Sequence, residues 1–185
     1  MIKLATWNIN SIKVRLPHVV AWVKQHRPDL LLLQEIKCVS DAFPTSELES
    51  LGYHCTVNGQ PAYNGVALLS LEKPERIATS LLADDTQARF LDIAYNDLRV
   101  LNIYAPNGNP IGTEKFDYKL RWLRALHSYA AELRQARQAF VIAGDFNIIP
   151  HDRDARRPDE WIHDALFQPE SQHAWHELVH LGLSD

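Results

Sequence analysis

The sequence predicts an α/β protein in which helices cover mixed or antiparallel sheets. Short apolar runs, bounded by turn-forming residues, alternate with longer segments in which apolar residues recur every three or four positions. The 185 residues contain no internal repeat, no low-complexity tract and no interdomain linker. We therefore expect one layered domain spanning residues 1–185.

The first part of the chain predicts a strand, a helix and a buried strand. Residues 3–7 form the first strand candidate, and the apolar residues between 16 and 23 share one helix face. Residues 30–33 are continuously apolar, as in a strand buried on both faces. Ser46 is expected to cap a short helix that Gly52 closes.

Four further strand candidates follow, and Asn-Gly or Asn-Asp turns bound several of them. We expect these strands to pair antiparallel. A long helix with a broad apolar face comes next, then a strand, a polar stretch and a last helix. The strands are expected at 53–57, 66–71, 90–95, 99–104 and 140–143, the long helix at 114–135, the polar stretch at 150–160, and the last helix with Leu178, Val179 and Leu181 inward.

The composition is that of a soluble globular chain, with 46% hydrophobic residues and a mean hydropathy of −0.26. No apolar stretch approaches the ~20 residues that cross a bilayer, and the N-terminus lacks a signal-peptide pattern. We therefore expect a cytoplasmic protein without a membrane partner. Cys38 and Cys55 are too few for a disulfide framework and form no Cys-x-x-Cys pair, so we interpret them as reduced thiols.

The formal net charge of −4 bears on the class of partner. A protein that holds phosphate backbones by bulk positive charge is expected to be basic. If the substrate is a polyanion, local basic residues and a bound metal must supply the attraction.

Polar residues emerge at the ends of four predicted strands. Asn8 follows the first strand and Glu35 follows the apolar run, whereas Tyr104 ends a later strand. Asp145 and Asn147 lie two positions apart after the last strand, an interval that places side chains on one side of an extended chain. Oxygen ligands without a His or Cys cluster favour Mg²⁺ or Mn²⁺ at such strand ends. The pattern favours metal-assisted phosphoester chemistry.

Each of these residues has a simpler interpretation when it is taken alone. Asn8 and Asn10 suit the end of a strand and the start of a turn. Glu35 is equally consistent with a surface position, and Tyr104 is better explained as a packed aromatic. The acid and amide after the last strand are harder to dismiss, because polar residues there contribute little to packing. The functional interpretation rests on the combination.

Five short motifs, in order along the chain, resemble those of exonuclease III and its abasic-site endonuclease relatives, in the endonuclease/exonuclease/phosphatase superfamily. Each motif alone is weak, but the series makes a strong match, and the resemblance extends over the whole chain. The motifs are Thr6–Ser11 (TWNINS), Leu33–Lys37 (LQEIK), Tyr63–Ala67 (YNGVA), Asn102–Gly108 (NIYAPNG) and Gly144–Pro150 (GDFNIIP).

The resemblance implies a four-layer α/β sandwich, in which two packed mixed or antiparallel sheets lie between outer helices. It also implies Mg²⁺-dependent hydrolysis of DNA phosphodiesters, with Mn²⁺ as an alternative metal. The substrate would be double-stranded DNA with abasic sites or 3' ends, with the damaged nucleotide turned out of the duplex. No obligate protein partner is expected.

By this resemblance, Glu35 would bind the metal with help from Asn8. Asp145 would activate or orient the attacking water, and Tyr104 would donate to a phosphate oxygen as charge develops. Asn147 would hold the scissile phosphate or a metal, and Asp145 also belongs to the implied metal set. Further phosphate or DNA contacts are expected from Asn10, Lys37, Asn64 and Asn107.

Some basic side chains are candidates for following the DNA backbone, although each, taken alone, is better explained as a solvated charge. These are Lys13, Arg15, Lys37, Lys115 and Lys119.

The sequence departs from the family pattern at residues 182–185. Family members continue from this position into strands that carry an aspartate and then a Ser-Asp-His motif, which completes the phosphate site. The 185 residues do not include these groups. We therefore expect a domain that is incomplete at its C-terminus, with uncovered strand edges and apolar faces in the second sheet. We also expect this polypeptide alone to be inactive or weak.

Two other functions remain open from sequence alone. A phosphatase acting on phosphorylated lipids or inositols would belong to the same superfamily, but the motifs at 7–11 and 104–108 match the DNA-repair branch. A non-catalytic protein would bind nucleic acid or a protein partner without turnover, with an affinity insensitive to Glu35→Ala. The acidic composition disfavours nucleic acid as the partner of such a non-catalytic protein.

Overall fold

The computed structural model describes all residues from Met1 to Asp185. Contacts divide the chain into two compact units. The first unit contains Met1–Tyr104 and Ala139–Asp145, and the second contains Ala105–Gln138 and Phe146–Asp185. None of the helices has the length and apolar character of a membrane span.

The first unit holds two four-stranded sheets and two α-helices. The strands are β1 (Leu4–Asn8), β2 (Leu30–Gln34), β3 (His54–Asn58), β4 (Val66–Ser70), β5 (Glu75–Ala78), β6 (Phe90–Tyr95), β7 (Leu98–Tyr104) and β8 (Phe140–Asp145), and the helices are α1 (Ile12–His26) and α2 (Thr45–Glu49).

The strand order is β1-β2-β4-β3 in the first sheet and β5-β6-β7-β8 in the second. The pairs β1/β2 and β7/β8 are parallel, and all other neighbours are antiparallel. Both sheets are therefore mixed. β1 and β8 each end a sheet, and all six residues of β8 keep partial exposure.

The apolar run in β2 explains the layering, because its side chains alternate between the two faces of the sheet. Leu31 and Leu33 pack in one cluster with Val19 and Val23 of α1. The opposite face packs against the second sheet, so α1, the first sheet and the second sheet form three successive layers. The cluster between the sheets includes Leu30, Leu32, Val66, Leu68, Leu91, Ile93 and Val100.

Amide hydrogen bonds cross between the two sheets inside this apolar core. Gln34 Nε2 donates to Asn102 Oδ1 at 2.7 Å and to Thr6 Oγ1 at 3.0 Å. Asn102 Nδ2 donates to the carbonyls of Leu33 at 3.1 Å and Ala67 at 2.8 Å. Both amides are buried, with 1% and 0% exposure. Because a buried amide is costly unless it is paired, this network fixes the position of β7 over β2 and β4.

The second unit contains α3 (Glu114–Gln135), which packs against α4 (Pro169–His180). The structure contradicts the interpretation of Lys119, in α3, as a solvated charge or a contact to the DNA backbone. Its side chain is fully buried, and its ammonium donates to main-chain carbonyl groups. The mostly apolar face of α3 carries Lys119 inward, where carbonyl oxygens compensate the charge.

The strand and helix predictions were mostly confirmed within one or two residues, and β6 and α3 have the predicted bounds. Ser46 was wrongly predicted as a cap, because α2 begins at Thr45 after Pro44. β5 was not predicted. Its sequence lacks apolar alternation, and it pairs irregularly with β6 at a sheet edge.

The sheet-crossing network yields a stability prediction for Asn102→Leu. The substitution removes the partner of Gln34 and leaves two buried carbonyls without their donor, so we expect the free energy of unfolding to fall by about 2–4 kcal/mol. Urea denaturation measures this change. Gln25→Leu, at an exposed position of α1, is the matched control; an equal loss in both variants would contradict the role of the network.

A second prediction concerns Gly144, which pairs with Ile103 where β8 approaches β7. A Cβ at Gly144 would lie 2.0 Å from the Ile103 carbonyl oxygen, whereas one at Gly52 meets no atom within 4 Å. Both glycines have positive φ. We expect Gly52→Ala to cost about 1 kcal/mol through φ alone and Gly144→Ala clearly more. Thermal unfolding of the two variants tests the difference, and equal losses would contradict it.

Candidate active site

The parallel strand pairs bring four predicted site residues to strand ends within the first unit. Asn8 is the last residue of β1, and Glu35 directly follows β2, its parallel neighbour. Tyr104 and Asp145 are the last residues of β7 and β8 and pair with each other in the register. Parallel strands end at the same edge of a sheet, so each pair is presented together.

The Asn8 side chain connects the two carboxylates. Its Nδ2 donates to Glu35 Oε1 at 2.8 Å and to Asp145 Oδ2 at 2.9 Å. Asn8 and Glu35 extend from the first sheet and Asp145 from the second, so one amide group spans both sheets. A single donor is therefore shared between two carboxylate groups.

Glu35 has the most hydrogen-bond and ion-pair partners of these groups. Lys37 Nζ lies 3.0 Å from Glu35 Oε2, and the Tyr104 hydroxyl also donates to this carboxylate. Burial raises the pKa of Glu35, but the hydrogen bonds from Asn8, Lys37 and Tyr104 and the Lys37 charge outweigh burial, and the pKa is lowered. Glu35 is therefore an ionised acceptor at neutral pH.

Tyr104 is held as a protonated donor. Burial and then the charge of Glu35 raise the pKa of Tyr104 to about 12, although the nearby Arg89 guanidinium opposes them. Arg89 lies 4.8 Å from the centre of the Tyr104 ring and donates to the Tyr104 carbonyl at 3.3 Å. At neutral pH the hydroxyl keeps its proton and acts as a hydrogen-bond donor.

Asn10 and Lys37 are brought to the rim of this cluster. Lys37 Nζ donates to Asn10 Oδ1, and the main-chain N–H of Asn10 donates to Asn8 Oδ1 at 3.2 Å. Asn64 is not brought to the carboxylates by its side chain. Its Nδ2 donates to Gln60 and Gln87, each at 3.2 Å, and only its carbonyl, which accepts the Lys37 amide, connects it to this loop.

Several candidate residues have backbone φ angles in the left-handed region. This region is sparsely populated by residues other than glycine, and such conformations cost about 1–3 kcal/mol each and cluster at functional sites. Candidate residues with φ between 44° and 54° are Asn10, Glu35, Lys37, Asn64 and Asn147.

Asn107 and Asn147 lie in the second unit, where Lys119 binds the carbonyl groups of both. Asn147 Nδ2 donates to the Ala105 carbonyl at 2.8 Å. Asn107 is exposed, and its Oδ1 accepts a hydrogen bond from the main-chain N–H of Asn109 at 3.1 Å. This turn leaves the Asn107 NH₂ group to donate to a ligand.

The donor set of the first unit fits a hard divalent cation. Glu35 and Asp145 supply carboxylate oxygens, and no group of three or more His, Cys, Asp and Glu side chains is arranged to hold a metal. Mg²⁺ is typically bound through one or two carboxylates plus water and substrate phosphate, so two carboxylates suffice. The absence of thiolate and imidazole groups from this cluster disfavours a zinc site.

Three positioning side chains were missed from sequence. Gln34 and Asn102 are polar residues in otherwise apolar strands. A polar residue inside an apolar run was the signal that could have identified them. Arg89 precedes β6, and nothing local marks it as a neighbour of Tyr104.

Comparisons with known proteins agree with this architecture. Residues 5–180 match the model of the Endonuclease/Exonuclease/phosphatase family. Exodeoxyribonuclease III from Haemophilus influenzae is 33% identical over 196 residues, which cover 99% of this chain and 73% of that protein.

Two solved structures are also similar. An AP endonuclease from Archaeoglobus fulgidus has a TM-score of 0.93 and 35% identity. The match covers 98% of this chain and 71% of the endonuclease chain. The 3' phosphatase NExo from Neisseria, bound to a product DNA hairpin, has a TM-score of 0.94 and 36% identity. The match covers 100% of this chain and 73% of the NExo chain. These similarities confirm the α/β fold class with two mixed sheets and helices. The chain belongs to the endonuclease/exonuclease/phosphatase family, with exodeoxyribonuclease III and AP endonucleases among its relatives.

Proposed function

We propose that this chain is a divalent-metal-dependent hydrolase of DNA phosphodiesters, of the DNA-repair type. The single observation that carries the proposal is the Asn8 amide that joins the Glu35 and Asp145 carboxylates at converging strand ends. The proposed substrates are duplexes with abasic sites or 3' ends. The similarities to an AP endonuclease and to a 3' phosphatase bound to DNA support both kinds of substrate.

Glu35 and Asp145, with Asn8 and Asn147, are the residues we assign to Mg²⁺ or Mn²⁺. A bound divalent cation would neutralise phosphate charge and lower the pKa of water. Asn8 keeps the two carboxylates together, and Lys37 and Tyr104 keep Glu35 ionised.

Asp145 is the group that we assign to orienting the attacking water and accepting its proton. Tyr104 donates to Glu35 in the structure, so a phosphate oxygen must compete for this proton as negative charge develops on it. The amides of Asn107 and Asn147 are assigned to the scissile phosphate. Asn10 and Lys37 are assigned to the DNA beside it, and Asn64 supports their loop through the backbone.

The first functional prediction concerns incision of a duplex with one abasic-site analogue, measured with the protein in excess. We expect cleavage with Mg²⁺ or Mn²⁺, none with chelator, and a loss of about 10²-fold or more in Asp145→Ala, because the water loses its base. Asp84→Ala, at an exposed position, is the control. Incision that persists in chelator or is unchanged in Asp145→Ala would contradict the proposal.

Metal binding gives a second prediction that does not depend on turnover. We expect Glu35→Gln to weaken Mn²⁺ binding about tenfold or more, measured by electron paramagnetic resonance, because the variant loses the anionic ligand. Glu49→Gln, on the exposed side of α2, should bind as the unmodified chain does. Equal Mn²⁺ affinity in the two variants would rule out Glu35 as a ligand.

A further inference from the structure

Lys119 is a buried cation whose hydrogen bonds converge on three loops of the second unit. Its Nζ donates to the carbonyls of Asn147 at 2.6 Å, Asn107 at 3.1 Å and Ala165 at 3.1 Å. An ammonium group carries three protons, and these acceptors match that number. The side chain has 0% exposure, so the bonds are made away from water, where they are strongest.

The same three loops are joined to one another by further hydrogen bonds. Asn147 Nδ2 donates to the Ala105 carbonyl at 2.8 Å, and Asn109 Nδ2 donates to Asp164 Oδ2 at 2.9 Å. Gly108 lies against the aliphatic part of Lys119, where an added Cβ would be 2.6 Å from Lys119 Cδ. Lys119 is thus the centre of a connected cluster of loops.

Packing alone does not explain a charge at this position. Its neighbours on the inward face of α3 include Phe116, Trp122 and Leu123, and an apolar side chain would avoid the desolvation of an ammonium. Unlike an apolar side chain, the ammonium makes directional hydrogen bonds. These bonds hold the main-chain oxygens of Asn107 and Asn147 inward while the Asn107 side chain stays exposed.

We propose that Lys119 is a positioning residue that fixes the Asn107 and Asn147 loops so that both amides can bind one phosphate group of the DNA. This inference rests on the proposed function, because the phosphate role of the two amides does. Lys119 itself does not touch the DNA. It acts through the carbonyls of the residues that do.

The test measures how much one phosphate adds to DNA affinity. Duplexes with a nick at an abasic-site analogue are prepared with and without the 5'-phosphate at the nick, and their dissociation constants are compared in Ca²⁺. We expect the phosphate to strengthen binding by the unmodified chain about tenfold or more. Lys119→Met and Asn147→Ala should each lose this increment, whereas Arg121→Met, at an exposed position of α3, should keep it.

A double-mutant cycle separates positioning from general stability. If Lys119 acts through Asn147, the double variant should lose no more of the phosphate increment than either single variant. The affinity for the duplex without the 5'-phosphate should stay unchanged in Lys119→Met, because the proposed role of Lys119 concerns the phosphate contact alone. An increment retained in Lys119→Met, additive losses in the cycle, or a loss of affinity for the duplex without the phosphate would overturn the inference.

Two results distinguish this inference from the proposed function. An increment absent from the unmodified chain would overturn the phosphate role of the amides and the inference with it. An increment lost in Asn147→Ala but kept in Lys119→Met would overturn the inference alone. If Lys119→Met does not fold, Lys119→Gln, which lacks the charge and one of the three donor protons, takes its place, and the same outcomes apply.

Discussion

The hydrogen bonds between Gln34 and Asn102 are the constraint on which the candidate site depends. Apolar sheet faces pack in many registers, because the hydrophobic effect has no direction. A pair of buried amides has few satisfied arrangements, so these bonds fix where β2 and β7 cross. Glu35 directly follows Gln34, and Tyr104 lies two residues beyond Asn102. The register set in the core is therefore transmitted directly to the site.

The polar groups of the site hold two carboxylates close together. Asn8 donates to both, Lys37 neutralises Glu35, and the raised pKa of Tyr104 keeps a proton where Glu35 accepts it. The left-handed conformations of Glu35 and Lys37 store backbone strain at the same place. Strained backbone of this kind is often found at functional sites.

The sequence allowed prediction of features that depend on local pattern or on a motif. The apolar run of β2 and the periodic face of α3 predicted their elements, and strand-end placement predicted that Asn8, Glu35, Tyr104 and Asp145 meet. The irregular edge strand β5 has no such pattern. Lys119 was misinterpreted for a different reason. A lysine is usually solvated, and only the tertiary fold brings three carbonyl groups to it.

The proposed metal site consists of the carboxylates joined by Asn8. A crystal structure of the protein soaked with Mn²⁺ locates the ion independently of activity, because Mn²⁺ scatters anomalously. We expect an anomalous peak at coordination distance from the Glu35 carboxylate, beside Asp145. A peak found only elsewhere, such as at the imidazoles of His151 and His176, would contradict it.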